Sequence, residues 1–479
     1  MSHRDKKLRH SNKAERRPAA VARSAASRRP NVVFIIADDL TAHAVRSLGN
    51  AEVRTEHLDK LAAAGCSFRH CFHQGSWTPA VCIASRTMLF TGLSAFRAQQ
   101  QAETALLWPA AMAAAGYHTH SIGKWHLSRR NLRRGFKTLG LTSCGGMFDS
   151  TDPNGAAYHR PAPGNDWKPW DTSQKGHWLR LKDWKADAKD RVIHSAELWT
   201  DEAVEFINRR AGCDEPFFLH VGFHLPHDPR QSPREIVASY PPEKIALPPN
   251  YMPCHPFDQG DYDIRDELLA PFPRTPEAVR LHRAEYYAAV TMLDRQIGRL
   301  LAALETTGEA QRTLVVVTSD HGLAVGEHGL MGKQNLYDCS VRVPLMMRGP
   351  GVPRGCAVEA QVYQHSLYAT VCELTGVTSG PTLEFRSLLP LMRSEAAAGE
   401  DAVFGFYRHF QRSLRTREHK LIVYPQSGVV QLFDLQADPW ETTNLAYAPK
   451  QAGLRRKLLG QLVRQQRRLG DVLSLAACK

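Results

Sequence analysis

Four apolar runs in this chain each stop at charged or imidazole residues, and they constrain the fold more than any other feature. The run 32–37 in "PNVVFIIADDL" ends at Asp38-Asp39. "GYHTHSIGKWHL" ends at Lys124 and His126, "PFFLHVGFHLPHDP" at His227, and "TLVVVTSDHG" at Asp320-His321. Continuous short apolar runs of this kind are strands buried on both faces, which belong to parallel sheets covered by helices. In an open α/β sheet, ligands bind beyond the carboxyl ends of the strands. Parallel alignment would therefore bring all four polar ends to one rim. A single Asp after a strand is an ordinary turn residue. Four such ends on one edge call for a shared site.

Between these runs the pattern is helical. Residues 54–65 predict a helix with Thr55 as N-cap, Leu58 and Leu61 on one face, and Gly65 closing it. A second helix is predicted to begin just after Cys82 and to run through Thr87, Met88 and Leu89. The longest helical pattern spans 282–308 and closes at Gly308. Residues 140–195 lack clear periodicity and hold Trp167, Trp170, Trp178 and Trp184. So long a stretch reads as a functional loop or substrate wall, or as a surface insertion packed by its own aromatics. From about 395 the texture changes to an antiparallel meander with a turn near 425–428, followed by a basic helix at about 450–470.

The predicted fold class is α/β: a large, mainly parallel mixed sheet sandwiched by helices, with a smaller C-terminal antiparallel-sheet domain. The expected divisions are a disordered basic arm at 1–29, a catalytic domain at 30–394 and an α+β subdomain at 395–479.

Charge matters because it is uneven. Of the net +13 over 479 residues, the first thirty residues supply +8 through ten Lys and Arg against Asp5 and Glu15. That arm is expected to be a solvated extension rather than a specific nucleic-acid reader. It has no apolar h-region, and Arg16-Arg17 followed by Pro and Ala makes a poor twin-arginine signal. The compartment stays open between cytoplasm and export. No apolar run approaches the ~20 residues of a membrane span. The ten cysteines form no CxxC pair, which argues against a zinc site.

The residue types at the rim fit one chemistry. Asp38, Asp39 and Asp320 are hard oxygen ligands suited to Ca²⁺ or Mg²⁺, with His321 either a fourth ligand or a hydrogen-bond partner of the anion. Lys124, Lys333, Arg86, His126 and His227 supply cationic or donor groups. Cys82, at a helix N-terminus, faces the same place. Such a site clamps a compact, multiply charged oxyanion against a metal, which suits hydrolysis of a sulfate or phosphate ester.

The segments "NVVFIIADDL", "CIASRTMLFTG", "GYHTHSIGKWHL", "PFFLHVGFHLPHDP", "VVVTSDHGLAVGEHGLMGKQNLYDCSVRVPL" and "LFDLQADPWETTNL" occur in this order. With them the chain resembles a type I, formylglycine-dependent sulfatase of the alkaline phosphatase superfamily over about 30–447. Asp320-His321 resembles iduronate-2-sulfatase-like members and phosphonate monoester hydrolases.

The resemblance implies that Cys82 is oxidised to Cα-formylglycine by a formylglycine-generating enzyme. The hydrated aldehyde then attacks sulfur, and its second hydroxyl eliminates sulfate. The resemblance implies that Asp38, Asp39, Asp320, His321 and residue 82 hold the metal. Ca²⁺ is the expected ion, with Mg²⁺ or Mn²⁺ as alternatives. It implies that Arg86 supports formylglycine, that Lys124 and Lys333 grip sulfate, that His227 donates to the leaving alcohol, and that His126 takes the proton during sulfate release. It also makes Asp320 a candidate to help deprotonate the attacking hydroxyl. One position departs from the usual C-x-P-S-R pattern: Ala84 stands where proline is usual. Glu327 and His328 read as loop structure, and His224 as a weaker candidate for substrate contact.

The expected activity is removal of sulfate from an organic sulfate, a sulfated carbohydrate above all. The alternatives are a phosphonate monoester or phosphodiester hydrolase on the same scaffold, and a silent sulfate-binding protein with unconverted Cys82.

Overall fold

The computed structural model describes residues 29–145, 155–186, 188–380, 382–394 and 397–478. The expectation for the arm falls almost wholly outside them. Eight strands form the main sheet, in the order Cys356–Tyr363, Cys66–Phe72, Arg342–Arg348, Thr313–Ser319, Asn31–Asp38, Phe217–Pro226, His118–Lys124 and Thr138–Ser143. Only Arg342–Arg348 runs against the others. The four strands singled out in the sequence are consecutive and parallel. Their carboxyl ends therefore share one rim.

Alternation along the central strand builds both layers. Val33, Ile35 and Ala37 face a core shared with the helices Pro276–Thr306, Ser195–Arg210 and Glu56–Ala64. Val32, Phe34 and Ile36 face the opposite core, shared with Trp108–Ala114, Ser366–Thr375 and part of Val81–Thr91. Every residue of Asn31–Asp38 is buried. A strand covered on both faces has no polar side to show water, which explains the unbroken apolar run.

Helix ends differ from the sequence expectations in instructive ways. The long helix begins at Pro276, six residues before the predicted start. Thr275 caps it by accepting from Ala278 N, and proline sits at the first helical position. That signal precedes the periodic run and was missed. Thr55 does stand at the N-cap of Glu56–Ala64 without capping it. Its hydroxyl accepts from Arg46 N at 3.0 Å and lies 3.2 Å from Asp59 Oδ1.

The smaller sheet pairs Val403–Tyr407, Gln411–Arg415, His419–Tyr424 and Val429–Asp434 antiparallel, with the turn at 425–428. A fifth strand, Gly75–Ser76, joins it in parallel from the N-terminal part of the chain. The segments expected at 30–394 and 395–479 thus share a sheet in space. The basic helix is Ala452–Leu469. The Trp-rich region contains a two-stranded ribbon, Trp178–Arg180 with Val192–His194. Its aromatics serve packing: Trp184 lies edge-on to Trp199 at 5.0 Å, and Trp167 is buried under the Arg160 guanidinium at 4.1 Å. No described helix is long and apolar enough to cross a membrane.

Candidate active site

The rim is made by backbone turns that break strand alternation. Neighbouring strand residues normally point to opposite faces. Asp39 adopts φ 69° and His126 φ 58°. Such left-handed conformations cost on the order of 1–3 kcal/mol each in a non-glycine residue. At Asp39 the turn lets the adjacent Asp38 and Asp39 serve one pocket; His126, two residues past Lys124 and beyond the strand end, reaches the same pocket through its hydrogen bond to Cys82. Gly123, just before Lys124, has φ 79°, and a Cβ there would lie 2.1 Å from the Gly222 carbonyl oxygen. Only glycine allows the two strands to close at that point.

Cys82 arrives from a helix. The helix is Val81–Thr91, so Cys82 is its second residue rather than the residue before it. Ala80 occupies the N-cap without a side-chain cap, and the sequence therefore carried no start signal. Two side chains fix this helix to the rim. Ser85 Oγ donates to the Asp320 carbonyl oxygen at 2.5 Å. Arg86, fully buried, donates through Nε to Asp320 Oδ2 at 2.8 Å and through Nη1 to the Lys124 carbonyl at 2.9 Å.

The structure brings the predicted metal and catalytic residues to one place, all of them buried except the half-buried His126, which hydrogen-bonds Cys82. Ligand atoms of Asp38, Cys82, Asp320 and His321 all lie within 4.8 Å of one another, as do those of Asp38, Asp39 and His227. Lys124 Nζ donates to Asp38 Oδ2 and lies 3.8 Å from Cys82 Sγ. Lys333 Nζ donates to Asp39 Oδ1 at 2.8 Å and to His227 Nε2 at 2.9 Å. His321 Nδ1 is 3.3 Å from Asp39 Oδ1, and its Nε2 is 3.7 Å from Asp38 Oδ1. His224 is buried beneath the rim, beside Trp199 and His177, rather than at its surface. Glu327 pairs with His43 at 3.0 Å, and His328 stacks on Tyr337 at 3.6 Å, so both are structural.

Electrostatics follow from crowding charges in a dry site. Burial opposes ionisation of the Cys82 thiol, yet His126 and Lys124 outweigh it and hold its pKa well below the usual thiol range. Burial, reinforced by the Asp38 carboxylate, raises Asp320. Burial opposes charge on His321, but Asp320 beside it pushes its pKa up to about 9. Lys333 is raised well above its ordinary value, against burial, by Asp39 and Asp266. Burial lowers His126.

Asp38 Oδ1 and Asp39 Oδ2 are buried and accept no hydrogen bond among the described residues. Unsatisfied buried carboxylate oxygens are costly. Two of them, beside Asp320 and His321, form a hard-donor set that fits a dication. The ammonium groups and the extra proton on His321 offset the same negative charge that a dication would offset.

Four residues around His227 escaped the sequence reading. Asp228 Oδ1 is 3.1 Å from His227 Nδ1, and Tyr158 donates to Asp228 Oδ2 at 2.8 Å. Arg265 Nη2 lies 3.3 Å from His227 Nε2 and 2.8 Å from Asp266 Oδ1. Asp228 follows His227 in the strand-end segment and was legible as a possible partner. Arg265 and Asp266 open the short 3-10 helix Arg265–Leu269, which is too brief to give a sequence signal.

Residues 30–377 match the family model described as Sulfatase. The chain belongs to the sulfatase family. It is accordingly a sulfuric ester hydrolase, of a family that works with formylglycine and a metal. Residues 326–468 match the model for the C-terminal part of N-sulphoglucosamine sulphohydrolase. Among sequence relatives, this sulfatase is 27% identical to an arylsulfatase of Clostridium perfringens over 440 residues, covering 87% of this chain and 90% of that protein. Two solved structures share its fold. One, in complex with its substrate D-glucosamine-2-N,6-O-disulfate, aligns with a TM-score of 0.71 at 21% identity, covering 93% of this chain and 99% of that one. The other, a phosphonate monoester hydrolase of Silicibacter pomeroyi, aligns at 0.73 with 24% identity, covering 93% and 96%.

Proposed function

We propose that this sulfatase removes sulfate from a sulfated sugar, using formylglycine made from Cys82 and a bound Ca²⁺. The observation that carries this reading is the convergence of Cys82 with Asp38, Asp320 and His321 within 4.8 Å, in a pocket also reached by Lys124 and Lys333. Sugar substrates are supported by the C-terminal family match to a sulphoglucosamine enzyme and by the disulfated glucosamine in the aligned structure. Calcium suits three hard carboxylates with no softer cluster around them, and Mg²⁺ or Mn²⁺ would use the same donors.

Asp38, Asp39, Asp320 and His321 would hold the dication. When bound, it would offset charge on the sulfate oxygens, and the aldehyde hydrate at position 82 would supply the attacking hydroxyl. Lys124 and Lys333 sit where they hold the sulfate oxygens after turning from Asp38 and Asp39. His227 points Nε2 into the site because its Nδ1 is taken by Asp228, so it is set to give a proton to the leaving alcohol. His126, whose pKa burial lowers, is set to accept a proton at position 82. Arg86 does not reach for substrate; it locks Asp320 and the helix that carries residue 82.

Maturation requires a formylglycine-generating enzyme, so the test starts with protein made beside one. Its kcat/KM is compared on sulfated sugars, 4-nitrophenyl sulfate and the matched phosphate and phosphonate esters. Sulfate esters are expected to lead by at least about tenfold. A lead for phosphonate esters would move the assignment to the second activity known on this fold.

A further inference from the structure

The C-terminal helix Ala452–Leu469 contains no acidic residue, and five of its six cations are arranged on one side, Arg455 being the exception. Arg456, Lys457, Arg464, Arg467 and Arg468 are all exposed. At about 100° per residue they fall within an arc of about 120°. The buried residues Leu458, Leu462 and Gln466 lie on the opposite side, packed into the core beneath the smaller sheet. None of the five cations makes an ion pair or hydrogen bond with another described residue; Arg468 lies within electrostatic reach of Glu400.

This face is costly to the helix itself. Arg464 stands three and four residues before Arg467 and Arg468, spacings at which like charges repel. Gly453 and Gly460 fall on the midline of the same arc, where glycine weakens a helix. Neither glycine adds a side chain of its own to the stripe. The Arg464 guanidinium folds back towards the open surface at Gly460, 3.6 Å from where a Cβ would stand. Repulsion and glycine are thus confined to one exposed stripe, about 18 Å from Arg456 to Arg468.

We propose that this stripe is a docking surface for a sulfated polysaccharide chain, separate from the catalytic pocket, that holds the polymer while one of its sulfates is cleaved. A row of guanidinium groups recognises sulfate oxygens through paired N–H donors, and an exposed line of them about 18 Å long suits a linear polyanion. The choice of a polysaccharide over other polyanions rests on the sugar-sulfate reading above. The stripe itself does not depend on that reading.

The test uses two full-length chains carrying the same N-terminal arm: the parent, and a variant with Arg456→Gln, Lys457→Gln, Arg464→Gln, Arg467→Gln and Arg468→Gln. All five positions are exposed, and an unchanged melting temperature verifies the fold. Heparin binding is measured against salt, beside duplex DNA and phosphatidylserine vesicles. The variant is expected to bind heparin at least tenfold more weakly with a shallower salt dependence, and to show unchanged kcat/KM on 4-nitrophenyl sulfate. Equal heparin binding by the two chains would overturn the proposal. So would tighter binding of the parent to DNA or vesicles than to heparin at equal ionic strength. Loss of heparin binding in a protein that turns over no sulfate ester would leave the docking surface standing and sink the catalytic reading alone.

Discussion

His227 gives the sharpest residue-scale expectation. Asp228 engages Nδ1 through its carboxylate and its backbone carbonyl, so Nε2 faces the site, where Lys333 contacts it at 2.9 Å and must turn away before substrate can take its place. General-acid help matters most when the leaving alcohol is a poor one. Replacing Asp228 with Asn should lower kcat on a sugar or alkyl sulfate about tenfold, while kcat on 4-nitrophenyl sulfate changes little. His227→Gln should lower the sugar reaction by about 10²–10⁴-fold with the same dependence on leaving group. Rates on the two substrates, set side by side, check both. An equal loss on both substrates would mean that the pair only shapes the pocket. A second expectation concerns the dication. Chelation should abolish turnover, and Ca²⁺ should restore it; Asp38→Asn should not be restored at the same Ca²⁺ concentration. The residues at the strand ends were legible in the sequence because apolar runs stop there abruptly. Asp228 was adjacent to one and was passed over as part of the turn. Arg265 comes from a short 3-10 helix and Tyr158 from an irregular segment, where contact is decided by tertiary packing alone.

At the scale of elements, the helix Val81–Thr91 and the smaller sheet are each secured by buried charge. Asp338 holds Arg415 and Lys420 of that sheet at 3.0 and 2.8 Å. Burial opposes its ionisation, but Arg415 and Lys420 outweigh burial and hold its pKa well below the carboxylate range. The sign follows directly. A depressed acid stabilises the fold above its unfolded pKa of about 3.9, and the contribution fades as pH falls through the lower folded value. Asp338→Asn should therefore cost about 3–5 kcal/mol at neutral pH. Thermal melts of the two proteins should differ fully between about pH 5 and 8 and converge only in acid. A gap that instead closed toward alkaline pH would contradict the assignment. Element types were readable wherever a period was strong, as in the meander and the long helix. Starts were not, because Thr275-Pro276 precedes its periodic run and Ala80 offers no cap at all.

The whole molecule depends on one seam. Gly75–Ser76 carries the chain from the main sheet into the edge of the smaller one, six residues before Cys82. Gly75 has φ 113°, and a Cβ there would stand 1.8 Å from the Phe406 carbonyl oxygen. Gly75→Ala should destabilise the protein by about 1–3 kcal/mol. Activity should fall with it, since the same segment leads to the catalytic helix; melting and rate measurements on the variant would show both. No sequence pattern announced this seam, because two residues are too few to carry a period. The central claim is that Cys82 becomes the nucleophile although Ala84 stands in place of proline. The most direct measurement is the mass of the tryptic peptide 70–86 from protein made with and without a formylglycine-generating enzyme. The account predicts that sulfur is replaced by oxygen with loss of two hydrogens at residue 82, only in the first sample, and that sulfate ester turnover tracks the converted fraction. An unmodified cysteine from the competent host, or turnover independent of conversion, would contradict it.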